Sequence, residues 1–373
     1  MKTTNPLQKL KTLGQSVWLD YIQRGILDSG EIAGMIENDG LAGITSNPAI
    51  FEKAINEHSD YEQAITSLAR NGVGASEIYE MLVIEDVQHA ADLFMPVYEE
   101  SNGRDGFVSL EVSPYLAYDT ENTVDEARRL WAKLDRPNVM IKVPATRNGL
   151  PAMTQLITAG VNVNVTLLFG ITRYQEVVRA YMAGLQERVK QDRPIGHIAS
   201  VASFFLSRID VLVNKQLNEL SKNKTINAVR SLRGQTAVAC ARHAYQYYLE
   251  WTKSEQWQNL SKKGAQTQRL LWASTGTKDP AYSDIKYVEP LIGRETVNTM
   301  TLQTLSAYRD HGCPAPRIEE ELIKAGALLT KLGELGIDLD TVSKQLEKEG
   351  VQKFIDAYRN LLKGLEQRRS RSI

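Results

Sequence analysis

The chain has 373 residues, 42% of them hydrophobic and 24% charged, with 44 Lys and Arg against 45 Asp and Glu. This is the composition of a globular protein and excludes a disordered or fibrous chain, while a net charge of −1 lacks the basic excess of a dedicated nucleic-acid binder. Cys240 and Cys313 alone supply no disulfide framework. The start of the chain lacks the apolar stretch of a signal peptide, and no run reaches the ~18 apolar residues of a membrane span, so a cytoplasmic protein with no membrane partner is expected.

In chain order, β-branched and apolar runs predict strands over Val17–Asp20, Gly43–Asn47, Val108–Val112, Val139–Val143, Val161–Leu167, Ile198–Phe205, Leu270–Ser274 and Thr296–Thr301. Amphipathic stretches separate them. Val124, Ala127, Leu130, Trp131 and Leu134, for example, fall on one face of a helix. Strands alternating with helices in this number predict a closed (β/α)8 barrel, a TIM barrel, occupying residues 1–373 as a single domain. An open doubly wound sheet is the rival, but no G-x-G-x-x-G turn follows any strand. Residues 210–263 are too long for one helix and predict two or three, with a break near 221–224. The tail arginines Arg368, Arg369 and Arg371 are expected on a solvated helix end. Tyr245, Tyr247, Tyr248 and Trp251 are expected to pack the inserted helices, an oligomer interface being the alternative, and Cys240 is expected in the core.

Side chains alternate faces along a strand. In the third strand Val108, Leu110 and Val112 oppose Ser109, Glu111 and Ser113; in the fourth Val139, Ile141 and Val143 oppose Met140 and Lys142; in the fifth Val161, Val163 and Val165 oppose Asn162, Asn164 and Thr166. The apolar face of a barrel strand meets the surrounding helices, so the polar face points to the axis. This places Asp20, Asn47, Glu111, Lys142, Asn164 and Thr166 inside, near strand C-terminal ends. A barrel centre built for stability alone is filled by Val, Ile and Leu, and unpartnered charges there are costly. Two carboxylates, a lysine and several amides and hydroxyls converging on one end therefore point to chemistry. Burial disfavours an ammonium ion, and the free amine of a lysine can add to a ketone to form a Schiff base. The iminium is an electron sink for breaking a neighbouring carbon–carbon bond, and the proton transfers need two carboxylates in different environments. No metal or cofactor is expected: His89, His197, His243 and His311 are scattered, and no H-x-x-x-H or C-x-x-C spacing occurs.

Four segments in order carry a family resemblance. Gly43-Ile44-Thr45-Ser46-Asn47-Pro48 resembles the second-strand signature of transaldolases. Val139-Met140-Ile141-Lys142-Val143-Pro144-Ala145-Thr146 is similar to the segment around their Schiff-base lysine, Asn162 to Phe169 to their fifth strand, and Ser203 to Asp210 to their sixth. The length and the Trp18-Leu19-Asp20 start resemble the longer bacterial branch. The resemblance implies that Lys142 forms the Schiff base, that Asp20 takes the C4 hydroxyl proton, and that Glu111 shuttles protons through a water also held by Thr166. It further implies that Asn47 and Asn164 bind the hydroxyls of a dihydroxyacetone unit, that Arg208 and Ser203 bind the sugar phosphate, and that Phe205 lines the pocket. After the seventh strand, where other branches carry a second arginine, this chain reads Ser274-Thr275-Gly276-Thr277-Lys278. Lys278, beside Ser274, is the natural substitute there, as a point charge rather than a fork. The implied partners are phosphorylated sugars, and the chain is expected as a monomer or homodimer. A lysine-dependent aldolase releasing free dihydroxyacetone, or a non-catalytic barrel, are the other readings.

Overall fold

The structure is a computed structural model that describes residues 5–221, 229 and 231–372. Eight parallel strands close in sequence order: β1 (Gln15–Leu19), β2 (Leu41–Thr45), β3 (Phe107–Glu111), β4 (Val139–Pro144), β5 (Val163–Leu168), β6 (Ser200–Phe205), β7 (Arg269–Ala273) and β8 (Thr296–Met300), with β8 pairing back onto β1. Each lies within about two residues of its expected span, and helices alternate with them, as in the expected (β/α)8 barrel. Every strand residue is buried, because helices cover the outside and the opposite side chains fill the axis.

The lower, N-terminal half of the interior is plugged. The Trp18 ring occupies space that only a glycine at position 43 leaves open, since a Cβ there would sit 2.7 Å from the ring and 2.8 Å from the carbonyl oxygen of Phe107. Below it, Arg269 at the start of β7 reaches across the axis to Asp105, 2.7 Å away, and to Ser16 on β1, 2.9 Å away. Asp105 also accepts from Ser16 Oγ at 2.7 Å and Trp18 Nε1 at 3.2 Å.

The insertion between β6 and β7 forms helices Ser207–Ser221, Thr236–Trp251 and Glu255–Ser261. The first helix is described up to Ser221, and the rest of the expected break near 221–224 lies outside the described residues. Asp210 anchors the second helix, accepting from the backbone N–H of Ala237 and from the Tyr287 hydroxyl, both at 2.9 Å. Tyr245, Tyr248 and Trp251 are buried against one another and Trp257, so these three rings are intrachain packing, and Cys240 is buried as expected.

Beyond β8 the sequence pattern predicts no element except the helical tail. There, helix Leu339–Ser372 packs against helices Pro48–Glu57 and Ser207–Ser221 and against β5. Its end departs from the solvated expectation at one residue. Arg368 is half-buried and donates to the carbonyls of Ile55 and Asn56, each at 2.6 Å, capping the end of helix Pro48–Glu57. Arg369 pairs with Glu366 on its own helix, and Arg371 is exposed. No described helix is long and apolar enough to cross a membrane.

Candidate active site

At the C-terminal ends of the strands lies a cavity of about 520 Å³, lined among others by Asp20, Asn47, Lys142, Ser203, Phe205 and Arg208. Ser274 and Lys278 line it as well. This is where the ligand sites of such barrels lie.

Sheet register builds the centre. Glu111 pairs with Lys142 across β3–β4, and Lys142 with Asn164 across β4–β5, so the three side chains form one row on the inner face. The buried Lys142 Nζ donates to the Ser46 carbonyl at 2.9 Å and stands 3.8 Å from Glu111 Oε2. Among the described residues neither Glu111 oxygen has a hydrogen-bond partner, and neither does the hydroxyl of Thr166 two residues beyond Asn164. Burial raises Glu111 from the ordinary 4.5 to about 7, with the Lys142 charge opposing and Asp20 reinforcing the rise. Asp20 follows β1. It is also raised, again by burial, against the opposing charge of Lys142 and a hydrogen bond from Thr45.

The amides occupy different positions from one another. Asn47 lines the cavity, but its carbonyl caps helix Pro48–Glu57, accepting from the N–H groups of Ala49 and Ile50 at 3.0 and 3.1 Å. Its NH₂ is the end left for a ligand. Asn164 is fully buried behind the cavity wall, accepting from Ser203 Oγ at 2.6 Å and donating to Ser109 Oγ at 3.0 Å. It thereby fixes the Ser203 side chain.

On the opposite wall Arg208 lies over the Phe205 ring, 5.5 Å from its centroid, with Nη1 buried and without a hydrogen-bond partner among the described residues. A guanidinium held beside an aromatic ring with an N–H to spare suits an anion. Ser274 adopts the left-handed region (φ 54°) and pairs its hydroxyl with Ser207 at 2.8 Å. Leu167, next to Thr166, is left-handed too (φ 55°), at the point where the β5–β6 register shifts. Backbone strain of this kind collects at functional sites.

The geometry thus brings Asp20, Asn47, Lys142, Ser203, Phe205, Arg208, Ser274 and Lys278 onto one cavity, with Glu111, Asn164 and Thr166 buried behind its lining. A family model described as Transaldolase/Fructose-6-phosphate aldolase matches residues 17–365. The chain belongs to that family. Among its relatives, Transaldolase 2 of Nostoc punctiforme is 46% identical, covering 98% of this chain and 97% of the relative. Transaldolase of Thiobacillus denitrificans is 47% identical over 96% and 99%, and that of Trichodesmium erythraeum 45% over 98% of each.

Sequence reasoning missed several wall residues of this transaldolase-family cavity, chiefly Thr45, Thr299, Lys53 and Phe354. Thr45 was within reach, since it shares strand parity with Asn47. Phe354 carries no such signal: it arrives from the C-terminal helix. Gly350 on that helix lets it approach β5, where a Cβ would stand 2.8 Å from Leu167 Cδ2 and 3.6 Å from Arg208 Nη1.

Proposed function

We propose that this chain is a transaldolase, moving a dihydroxyacetone unit from sedoheptulose 7-phosphate to glyceraldehyde 3-phosphate and giving erythrose 4-phosphate and fructose 6-phosphate. The observation that carries the reading is the buried Lys142 amine flanked by Glu111 and Asp20 at the mouth of one cavity that also holds Arg208. The Lys142 amine adds to the donor's C2 carbonyl, and loss of water from the carbinolamine leaves the iminium. Glu111, raised to about 7, can give and take a proton near neutrality, and a water between its unpartnered oxygens and the Thr166 hydroxyl would carry it. Asp20 removes the C4 hydroxyl proton, the C3–C4 bond breaks, and its electron pair passes into the iminium to give the enamine. The aldose leaves. The enamine attacks the acceptor's aldehyde carbon, Asp20 returns the proton to the new hydroxyl, and water releases Lys142.

In this reading the Asn47 NH₂ binds hydroxyls of the dihydroxyacetone unit, and Asn164 acts from behind by holding Ser203. Arg208, Ser203 and Ser274 receive the phosphate with Lys278 as second charge, while Phe205 closes the wall. The chain acts as one domain over 1–373, needs no cofactor, works in the cytoplasm, and is a monomer or homodimer.

The family description also includes fructose-6-phosphate aldolase, so the second reading is an enzyme releasing free dihydroxyacetone. Borohydride trapping with fructose 6-phosphate, followed by peptide mapping, tests the common step, and label on a lysine other than Lys142 refutes it. Turnover that depends on an acceptor aldehyde marks the transaldolase; dihydroxyacetone release without acceptor marks the aldolase.

A further inference from the structure

Asp20 sits where β1 ends, between the strands that flank it. Its backbone N–H donates to the Met300 carbonyl of β8 at 2.8 Å, and its Oδ1 accepts from Thr45 Oγ1 of β2, also at 2.8 Å. Thr45 and Thr299 belong to strands that do not pair with each other, yet their hydroxyl oxygens are 2.7 Å apart. They meet in front of β1, on the inner face. Thr299 is held in turn from β7's end, where Thr275 donates to its carbonyl at 2.8 Å.

Counting protons gives this arrangement a direction. A hydroxyl has one proton, and an ionised carboxylate only accepts. With Asp20 ionised, Thr45 spends its proton on Oδ1, so Thr299 must donate to Thr45. We propose that Thr299 and Thr45 form a directed hydroxyl relay that holds the Asp20 carboxylate by one oxygen and presents the other to the C4 hydroxyl of the substrate. The proposal rests on the transaldolase reading and adds two positioning residues to it. Both threonines line the cavity beside Asp20. A purely space-filling role would be met equally by valine, whereas the relay requires hydroxyls at both positions.

The relay acts on the bond-breaking step alone, since adduct formation belongs to Lys142 and Glu111. It also favours the ionised form of Asp20, alongside the charges that face that carboxyl: Lys142, Arg208 and Lys278 attract, and Glu111 repels. Loss of the relay makes Asp20 easier to protonate. A base works only above its own pKa, so the acid limb of the pH profile should move to higher pH.

The test compares Thr299→Val with Thr299→Ser, and Thr45→Val with Thr45→Ser, in single-turnover experiments on fructose 6-phosphate. The borohydride-trapped adduct and the released glyceraldehyde 3-phosphate are followed separately. Thr299→Val should form adduct at the unmodified rate, cleave it about tenfold more slowly, as expected for weakening a hydrogen bond to a charged group, and show the shifted acid limb. Thr45→Val, which removes the direct donor, should cleave more slowly still, and both Ser variants should recover. Unaltered cleavage and acid limb in Thr299→Val overturn the relay alone, as do Ser variants no better than Val. Failure of the unmodified chain to form any adduct overturns the transaldolase reading, and the relay with it.

Discussion

The two ends of the barrel interior both bury charge, and they treat it in opposite ways. At the N-terminal end Arg269 donates to Asp105, Ser16 and the carbonyl of Arg104, and Asp105 accepts from Arg269, Ser16 and Trp18. At the C-terminal end Lys142 and Glu111 stand 3.8 Å apart, and Glu111, Thr166 and Arg208 keep polar atoms with no hydrogen-bond partner among the described residues. A buried charge with a full set of partners holds structure; one left short of partners stores the desolvation cost that a substrate or a water can relieve. The floor is built to stay as it is, and the mouth is built to change partners.

The largest expected effect is at Lys142. Lys142→Ala should abolish borohydride trapping and lower turnover by several orders of magnitude, and Lys142→Arg should do the same, because a guanidinium stays protonated and cannot add to a carbonyl. Both should stay folded, as judged by circular dichroism. Next come the two carboxylates. Asp20→Ala should form a trappable adduct and fail to cleave it, whereas Glu111→Ala should slow adduct formation by roughly 10²–10⁴. Single-turnover kinetics separate the steps, and the same block in both variants would remove the division of labour.

The floor should respond in the other currency. Arg269→Met leaves the half-buried Asp105 without its cation and should lower unfolding free energy by about 3 kcal/mol in denaturant titrations, with kcat of the folded enzyme unchanged. A large kcat defect there would erase the contrast between the two ends. The smallest effect is a slope. Glu111 rises from 4.5 to about 7 on folding, so between those pH values the folded chain keeps a proton that the unfolded chain has released. Stability contributed by this group therefore falls as pH rises through that window, by an amount on the order of 3 kcal/mol at most. Glu111→Gln removes the slope, and its melting temperature relative to the parent chain should be higher at pH 8 than at pH 5.

Strand parity made much of the mouth legible. Glu111, Lys142 and Asn164 alternate with Val, Ile and Leu, and a period of two assigns them to one face whatever the neighbouring strands do. The same pattern could not say what each group touches. Asn47 and Asn164 read alike in the sequence, yet one lines the cavity and caps a helix with its side-chain carbonyl, while the other is sealed behind Ser203. Arg368 looked like a solvated tail residue because local composition does not reveal that helix Pro48–Glu57 ends beside it.

The sequence by itself determined the alternation of strands and helices, the inner face of β3 to β5, and the family, because these depend on local periodicity and on short contiguous motifs. Barrel closure decided the rest. It brought β8 beside β1, so that Thr299 meets Thr45 across Asp20, and it carried Arg269 over the axis to Asp105, 164 residues away in the chain. It also gave the C-terminal helix a groove in which Gly350 packs close to Leu167 of β5 and Phe354 reaches the cavity. Such contacts form between residues remote in sequence once the packed core has set their distance, and no local pattern encodes that distance.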